Sequence, residues 1–262
     1  MINTKAGESM GMPNYRIRPL ATVTIEVDMA MFTYGMNYGR KIKIPTLMWY
    51  LEGGDQRILV DSGASLEFAE KVMGMEAEGI MTFEEALGHV GVTPDDIDMV
   101  IQTHLHRDHC VHTSRCKNAK VVVQEKELMF ALSPHPVMAR FYHRPLLKDL
   151  NFQIVNGYRE IAPGIELIPA PGHTPGVQAV CIQTDRGKAM ISGFCCIREN
   201  FQPPEDVREI CPVLAPGLHT DALEAFESAL RIKGLADIMI PQHDPQFLTV
   251  DCIPWDVEEP ML

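Results

Sequence analysis

The chain has 262 residues, 46% of them hydrophobic and 22% charged, with a formal net charge of −12. This is the make-up of an ordinary globular protein with length for a sizeable core, and its acidity argues against nucleic-acid or anionic-membrane partners, which need clustered positive charge. No apolar stretch approaches the ~20 residues that span a bilayer. The N-terminus lacks an apolar run behind a basic start, and seven irregularly spaced cysteines make no disulfide framework, so a cytoplasmic location is expected.

Residues 1–18 are polar with Gly and Pro, and read as a flexible arm ahead of a single domain over 19–262. VTIEVDMAMF (23–32) has strand character, and TLMWYLEGGDQRILVDSG (46–63) reads as two strands joined at Gly-Gly-Asp. Thr82 and Glu85 form a capping box before an apolar-periodic run that stops at Gly91, and Thr93 with Asp96 repeats the start signal. IDMVIQTH (97–104) is a buried strand that leads straight into a cluster of histidines. AKVVVQ (119–124) is the next strand and QEKELMFAL a short helix, whereas 132–150, with three prolines, defines no element. FQIVNGYREI, IELIPAPGH, VQAVCIQT and KAMISG then supply closely spaced β segments. Asp221 and Glu224 open a helix with Leu223, Phe226 and Leu230 on one face, and DIMIP (237–241) ends at Gln242-His243-Asp244.

The stretch THLHRDHCVH (103–112) carries the chemistry. In an extended segment, positions two apart point the same way, so His104 and His106 can reach one ion. Asp108 and His109 can face a neighbouring one. Imidazole and carboxylate are natural ligands of zinc and similar metals. His173 in PAPGHTPG and His243 in IPQHDP also follow apolar strands, so the loops converge at one end of a sheet.

HLHRDH, preceded by ILVDSG (58–63) and followed by PGHTPG and PQHD, resembles the signature of the metallo-β-lactamase superfamily. Within it the chain is most similar to N-acyl-homoserine lactonases and related lactone hydrolases, over residues 20–250. The resemblance implies an α/β fold, a four-layer αββα sandwich, with a two-metal site at one edge. It implies His104, His106 and His173 on one metal and Asp108, His109 and His243 on the other, with Asp61 orienting a ligand histidine. It further implies hydrolysis of a small cyclic ester or amide by metal-activated hydroxide attack, Asp108 orienting the nucleophile or receiving its proton. Zinc is the expected cofactor, one or two per chain, with iron or manganese as alternatives. The expected partner is a small-molecule substrate; a homo-oligomer stays open.

The pattern also breaks. The family's metal-bridging aspartate falls at Gly193 or Phe194, and the lactonase tyrosine falls at Cys196. Cys195 and Cys196 are the candidate substitute ligands, or else small buried hydrophobes. Arg107 stands where lactonases often carry Phe; it either binds an anionic substrate group or lies on the surface. Val111-His112 replaces a usual Gly-Gly pair; His112 either enters the cleft as a contact or proton donor or is structural. Cys110 and Cys116 match no standard zinc spacing. Met29, Met31 and Met36 fill core or form an adaptable pocket wall. These departures keep two other readings open: a mononuclear or iron-dependent redox or lyase enzyme, and a non-catalytic metal- or ligand-binding member.

Overall fold

Strands with alternating burial build two sheets, seen in a computed structural model that describes residues 13–255. In chain order the strands are β1 (Arg16–Asp28), β2 (Lys41–Glu52), β3 (Ile58–Val60), β4 (Ala77–Gly79), β5 (Met99–Ile101), β6 (Lys120–Gln124) and β7 (Phe152–Val155). There follow β8 (Arg159–Ala162), β9 (Ile165–Pro169), β10 (Gln178–Thr184), β11 (Gly187–Ile191) and β12 (Ile238–Ile240). The first sheet runs β4-β1-β2-β3-β5-β6-β7 and the second β12-β11-β10-β9-β8. Residues 1–12 of the expected arm lie outside the described residues. Arg16, Ile17 and Arg18 do not belong to an arm: they open β1 and pair with Glu52, Leu51 and Tyr50.

The period-two rule explains the layers. Leu47, Trp49 and Leu51 of β2 meet Leu167, Val180, Ile182 and Ile191 of the other sheet in the central core. Met48 and Tyr50, on the opposite face, pack under Phe83, Ala86 and Leu87 of the helix Phe83–Gly88. The outer face of the second sheet, with Cys181, Met190 and Met239, packs on Ala229 and Ile232 of the helix Ala222–Leu235. The order helix, sheet, sheet, helix is the expected αββα sandwich.

That second helix corrects one expectation. Asp221 does cap it, accepting from Leu223 and Glu224 N–H, but Leu223 is 80% exposed and Leu230 is exposed as well. The buried face is Ala225, Ser228, Ala229 and Ile232, with Phe226 partly buried against the same core; at Ala225 the loop at Gly172 approaches too closely for anything larger. A Cβ on Gly172 would fall 2.2 Å from the Ala225 nitrogen. The capping box at Thr82 forms as read from the sequence, and at Thr93 the Asp96 carboxylate accepts from both the backbone N–H and the hydroxyl of Thr93. The segment 132–150 contains the one-turn helices Ala139–Phe141 and Arg144–Leu147, too short to leave a periodic signal.

Strand direction places the site. β3, β5 and β6 are parallel, so Asp61, the segment 102–109 and Glu127 emerge at one edge. β9 and β11 both run antiparallel to β10, and β12 runs parallel to β11. Their C-terminal ends therefore bring His173, Gly193–Cys196 and His243 to a common edge of the second sheet. Where the two edges meet, the loops converge.

Candidate metal centre

Two groups of side chains meet there: His104, His106 and His173, and Asp108, His109 and His243. Within each group the potential ligand atoms lie within 4.8 Å of one another. The groups adjoin, with the rings of His104 and His109 4.0 Å apart. All five histidines are buried. These are the six residues expected from the sequence.

Hydrogen bonds decide which nitrogen each ring presents. His173 Nδ1 lies 2.6 Å from the Leu218 carbonyl and His243 Nδ1 lies 3.1 Å from the Pro45 carbonyl. A carbonyl only accepts, so each Nδ1 carries the hydrogen and each Nε2 keeps its lone pair. The Thr103 hydroxyl donates to Asp61 at 2.7 Å, which leaves its oxygen to accept from His104 Nδ1 at 3.1 Å. His109 Nδ1 donates to Asp61 Oδ2 at 2.8 Å. Thus four rings are fixed through Nδ1, with Nε2 free to ligate.

Burial, reinforced by neighbouring histidines, holds His104 and His106 well below the ordinary imidazole value. The same desolvation pushes His173 down to about 3 and His243 to about 4. Burial would also lower His109, but the Asp108 and Asp61 carboxylates outweigh it and raise that ring. Burial pushes the Asp108 carboxyl up; His109 and His243 more than reverse this and hold it low. The first group is therefore three neutral imidazoles, and the second joins a carboxylate to the neutral His243 ring and to His109, the one ring of the five that its carboxylate neighbours raise. His106 Nε2 is buried without a partner, and the His104 and His173 Nε2 atoms face each other at 3.2 Å. Facing lone pairs have nothing to attract them except a shared cation or proton. The donor set fits a divalent metal.

Two buried carboxylates stand behind the groups. Asp61 accepts from Thr103 N, Thr103 Oγ1, His109 Nδ1 and Gln242 Nε2, so it ties the loops before His104 and His243 to His109 itself. Glu127 does the corresponding work on the other side. Glu127, Thr103, Gln242 and Tyr142 were not singled out in the sequence. The available signal for Glu127 was its place just beyond a buried strand parallel to β5.

The remaining candidates separate. Cys195 lines the cavity over the metal groups, with Sγ 3.6 Å from the Met31 carbonyl. Cys196 is buried in the core, 2.8 Å from Ser192 Oγ, and accepts from Gln242 N. Among the described residues neither thiol joins a ligand group. Phe194 packs against Phe201, and Gly193 has a φ of 77° with no room for a side chain. Arg107 lines the cavity, but its guanidinium donates to the Val72 and Met73 carbonyls at 3.2 and 3.4 Å, fastening that wall. His112 is outside this cavity: it stacks on Phe83 at 4.7 Å in a separate groove, and burial pushes it down to about 4. Cys110 and Cys116 lie in different core clusters and are free thiols. Met31 joins the cavity wall, together with Met73 and Met75, whereas Met29 is core.

Comparison with known proteins agrees with this geometry. The model of the metallo-beta-lactamase superfamily matches residues 43–243. An N-acyl homoserine lactonase of Bacillus thuringiensis is 29% identical over 72% of this chain and 79% of its own length. One of Bacillus cereus is 30% identical over 67% of this chain and 74% of its own. A crystal structure of a quorum-quenching N-acyl homoserine lactone lactonase superposes with a TM-score of 0.73 at 26% identity, covering 90% of this chain and 95% of that one. The chain belongs to the metallo-beta-lactamase superfamily. Within it, the chain is a lactonase-like, metal-dependent hydrolase.

Proposed function

We propose that the chain opens a small cyclic ester or amide by hydrolysis, using zinc held by His104, His106 and His173 and by Asp108, His109 and His243. The observation that carries this reading is the convergence of those two groups on one cavity. When bound, divalent zinc supplies Lewis acidity, which makes water nucleophilic near neutral pH and polarises a carbonyl.

The chain's own residues do the rest. Asp108 remains a carboxylate despite burial, so it can take the proton of the attacking water and return it to the leaving alkoxide or amine. The cavity, about 70 Å³, suits a compact reacting group, and Ile25, Val27, Met31 and Phe32 give it an apolar wall that excludes bulk water. The lactonase phenol expected to assist the substrate carbonyl has no counterpart at Cys196, which lies in the core. The substrate preference is therefore shifted from that of the acyl-homoserine enzymes.

The test is a panel of lactones and lactams incubated with the purified protein, with and without chelator. Chelator-sensitive ring opening of at least one member is expected, with Asp108→Asn lowering the rate by roughly 10²–10⁴-fold. Failure on every member would remove the hydrolytic reading. The absence of a bridging carboxylate favours a second reading, in which only the three-histidine group is filled; one zinc per active chain would support it.

A further inference from the structure

Glu127 is wholly buried, yet nothing in the proposed chemistry uses it. It is the third residue of the helix Glu125–Leu132, directly after β6. Oε1 accepts from Leu105 N at 2.9 Å and from the Tyr142 hydroxyl at 3.2 Å; Oε2 accepts from the Thr174 hydroxyl at 2.6 Å. Gly176 N–H donates to it as well. The donors come from both segments that carry the first metal group and from a ring packed on His106. Leu105 separates His104 from His106, Thr174 follows His173, and the Tyr142 ring lies 4.8 Å from that of His106. Gly176 is seated on the same helical turn, where a Cβ would fall 2.1 Å from the Glu127 nitrogen.

We propose that Glu127 is the positioning residue of the three-histidine group: one buried carboxylate straps the 104–106 and 173–176 loops into a single metal-ready arrangement. This rests on the metal-binding reading given above. Its physical content is preorganisation. Beyond the bonds from Gln178 to the Thr103 and Gln102 carbonyls at the loop bases, the loops themselves would without a common acceptor be joined by contacts between neutral imidazoles, and ordering them would be charged against metal binding. Burial pushes the Glu127 carboxyl up, and the bonds it accepts from Thr174, Leu105, Tyr142 and Gly176 oppose that by favouring the carboxylate form. Its role parallels that of Asp61 behind the second group, but the two carboxylates share no donor.

The experiment is a zinc titration of the full chain against a competing chromophoric chelator, in a His243→Ala background that leaves the first group as the one to be read. Glu127→Gln should weaken zinc binding by roughly 10–100-fold. Thr174→Val, which removes one donor, should weaken it less, and so should Asp61→Asn, which reaches this group only through Thr103 and His104. Thermal midpoints of the metal-free proteins are measured alongside. A Glu127→Gln protein with a lower midpoint but unchanged zinc affinity would mean that the carboxylate only supports the fold, and the inference would fall. Should Glu127→Gln not fold, Thr174→Val and Tyr142→Phe decide: undiminished affinity in both overturns it. Tight zinc binding shared by parent and variant leaves the hydrolase reading standing, whereas a parent that binds no zinc removes both.

Discussion

Asp61 adopts a φ of 56°, a left-handed backbone that few residues with a side chain tolerate, and Asp is among those that do. The strained turn is what aims its carboxylate at His109, Thr103 and Gln242 together. Asp61→Asn replaces one accepting oxygen by an N–H2 that must face donors. Zinc held by Asp108, His109 and His243 should therefore bind roughly 10–100-fold more weakly; competition titration of the otherwise intact chain would reveal it, and an unchanged second site would show that His109 is fixed by other contacts. The cysteines give a second check at this scale. Burial pushes the Cys195 thiol well above its ordinary range and Cys196 up to about 12, while Cys211 is half-exposed. Iodoacetamide at pH 8 should label Cys211 before either, as read by peptide mass mapping; early loss of Cys195 would mean that the cavity opens further than its geometry suggests. The ligand histidines were legible because two share an extended segment and the others follow apolar strands. Glu127, Tyr142 and Gln242 were not, because their roles depend on which loops approach them, and no local spacing encodes that.

At the scale of elements, the strands and capping boxes could be read from alternation and from Thr-x-x-acid spacing, both local signals. The burial face of the helix Ala222–Leu235 could not. Of the expected stripe Phe226 packs on the core, but Leu223 and Leu230 face outward, because the helix sits so close to the 170–173 turn that Ala225 takes the inner position there. Gly172 is the point of contact: its φ is 123° and its carbonyl accepts from Thr220 and Asp221, at the helix entrance. Gly172→Ala should cost about 2–3 kcal/mol of stability, from overpacking against Ala225 and from the unfavourable backbone. It should also displace the adjacent His173, so zinc retention should fall with stability. Urea unfolding and metal analysis of the same preparation check both. A variant as stable as the parent would mean that the turn can back away from the helix.

For the whole molecule, the sandwich was legible and so was the missing bridging aspartate, but the structural reason for its absence was not. Gly193 holds a φ of 77°, and a Cβ there would lie 2.1 Å from the Gln178 carbonyl oxygen. Phe194 is spent on the core with Phe201. Neither position can offer a ligand without rebuilding the junction between the sheets. Two neighbouring cations would then repel with no shared protein carboxylate between them. The three-histidine group, strapped by Glu127, should retain its zinc, while the group built on Asp108 should lose its own at much lower chelator. Dialysis against graded chelator, with plasma mass spectrometry of the protein, should therefore show two steps, the first removing about one zinc per chain. A single step removing two would require a bridge from elsewhere, and Cys195 is the thiol that lines the cavity. Cys195→Ser separates the cases: if the single step splits into two, the thiolate is the bridge; if it does not, the bridge is an anion from solution.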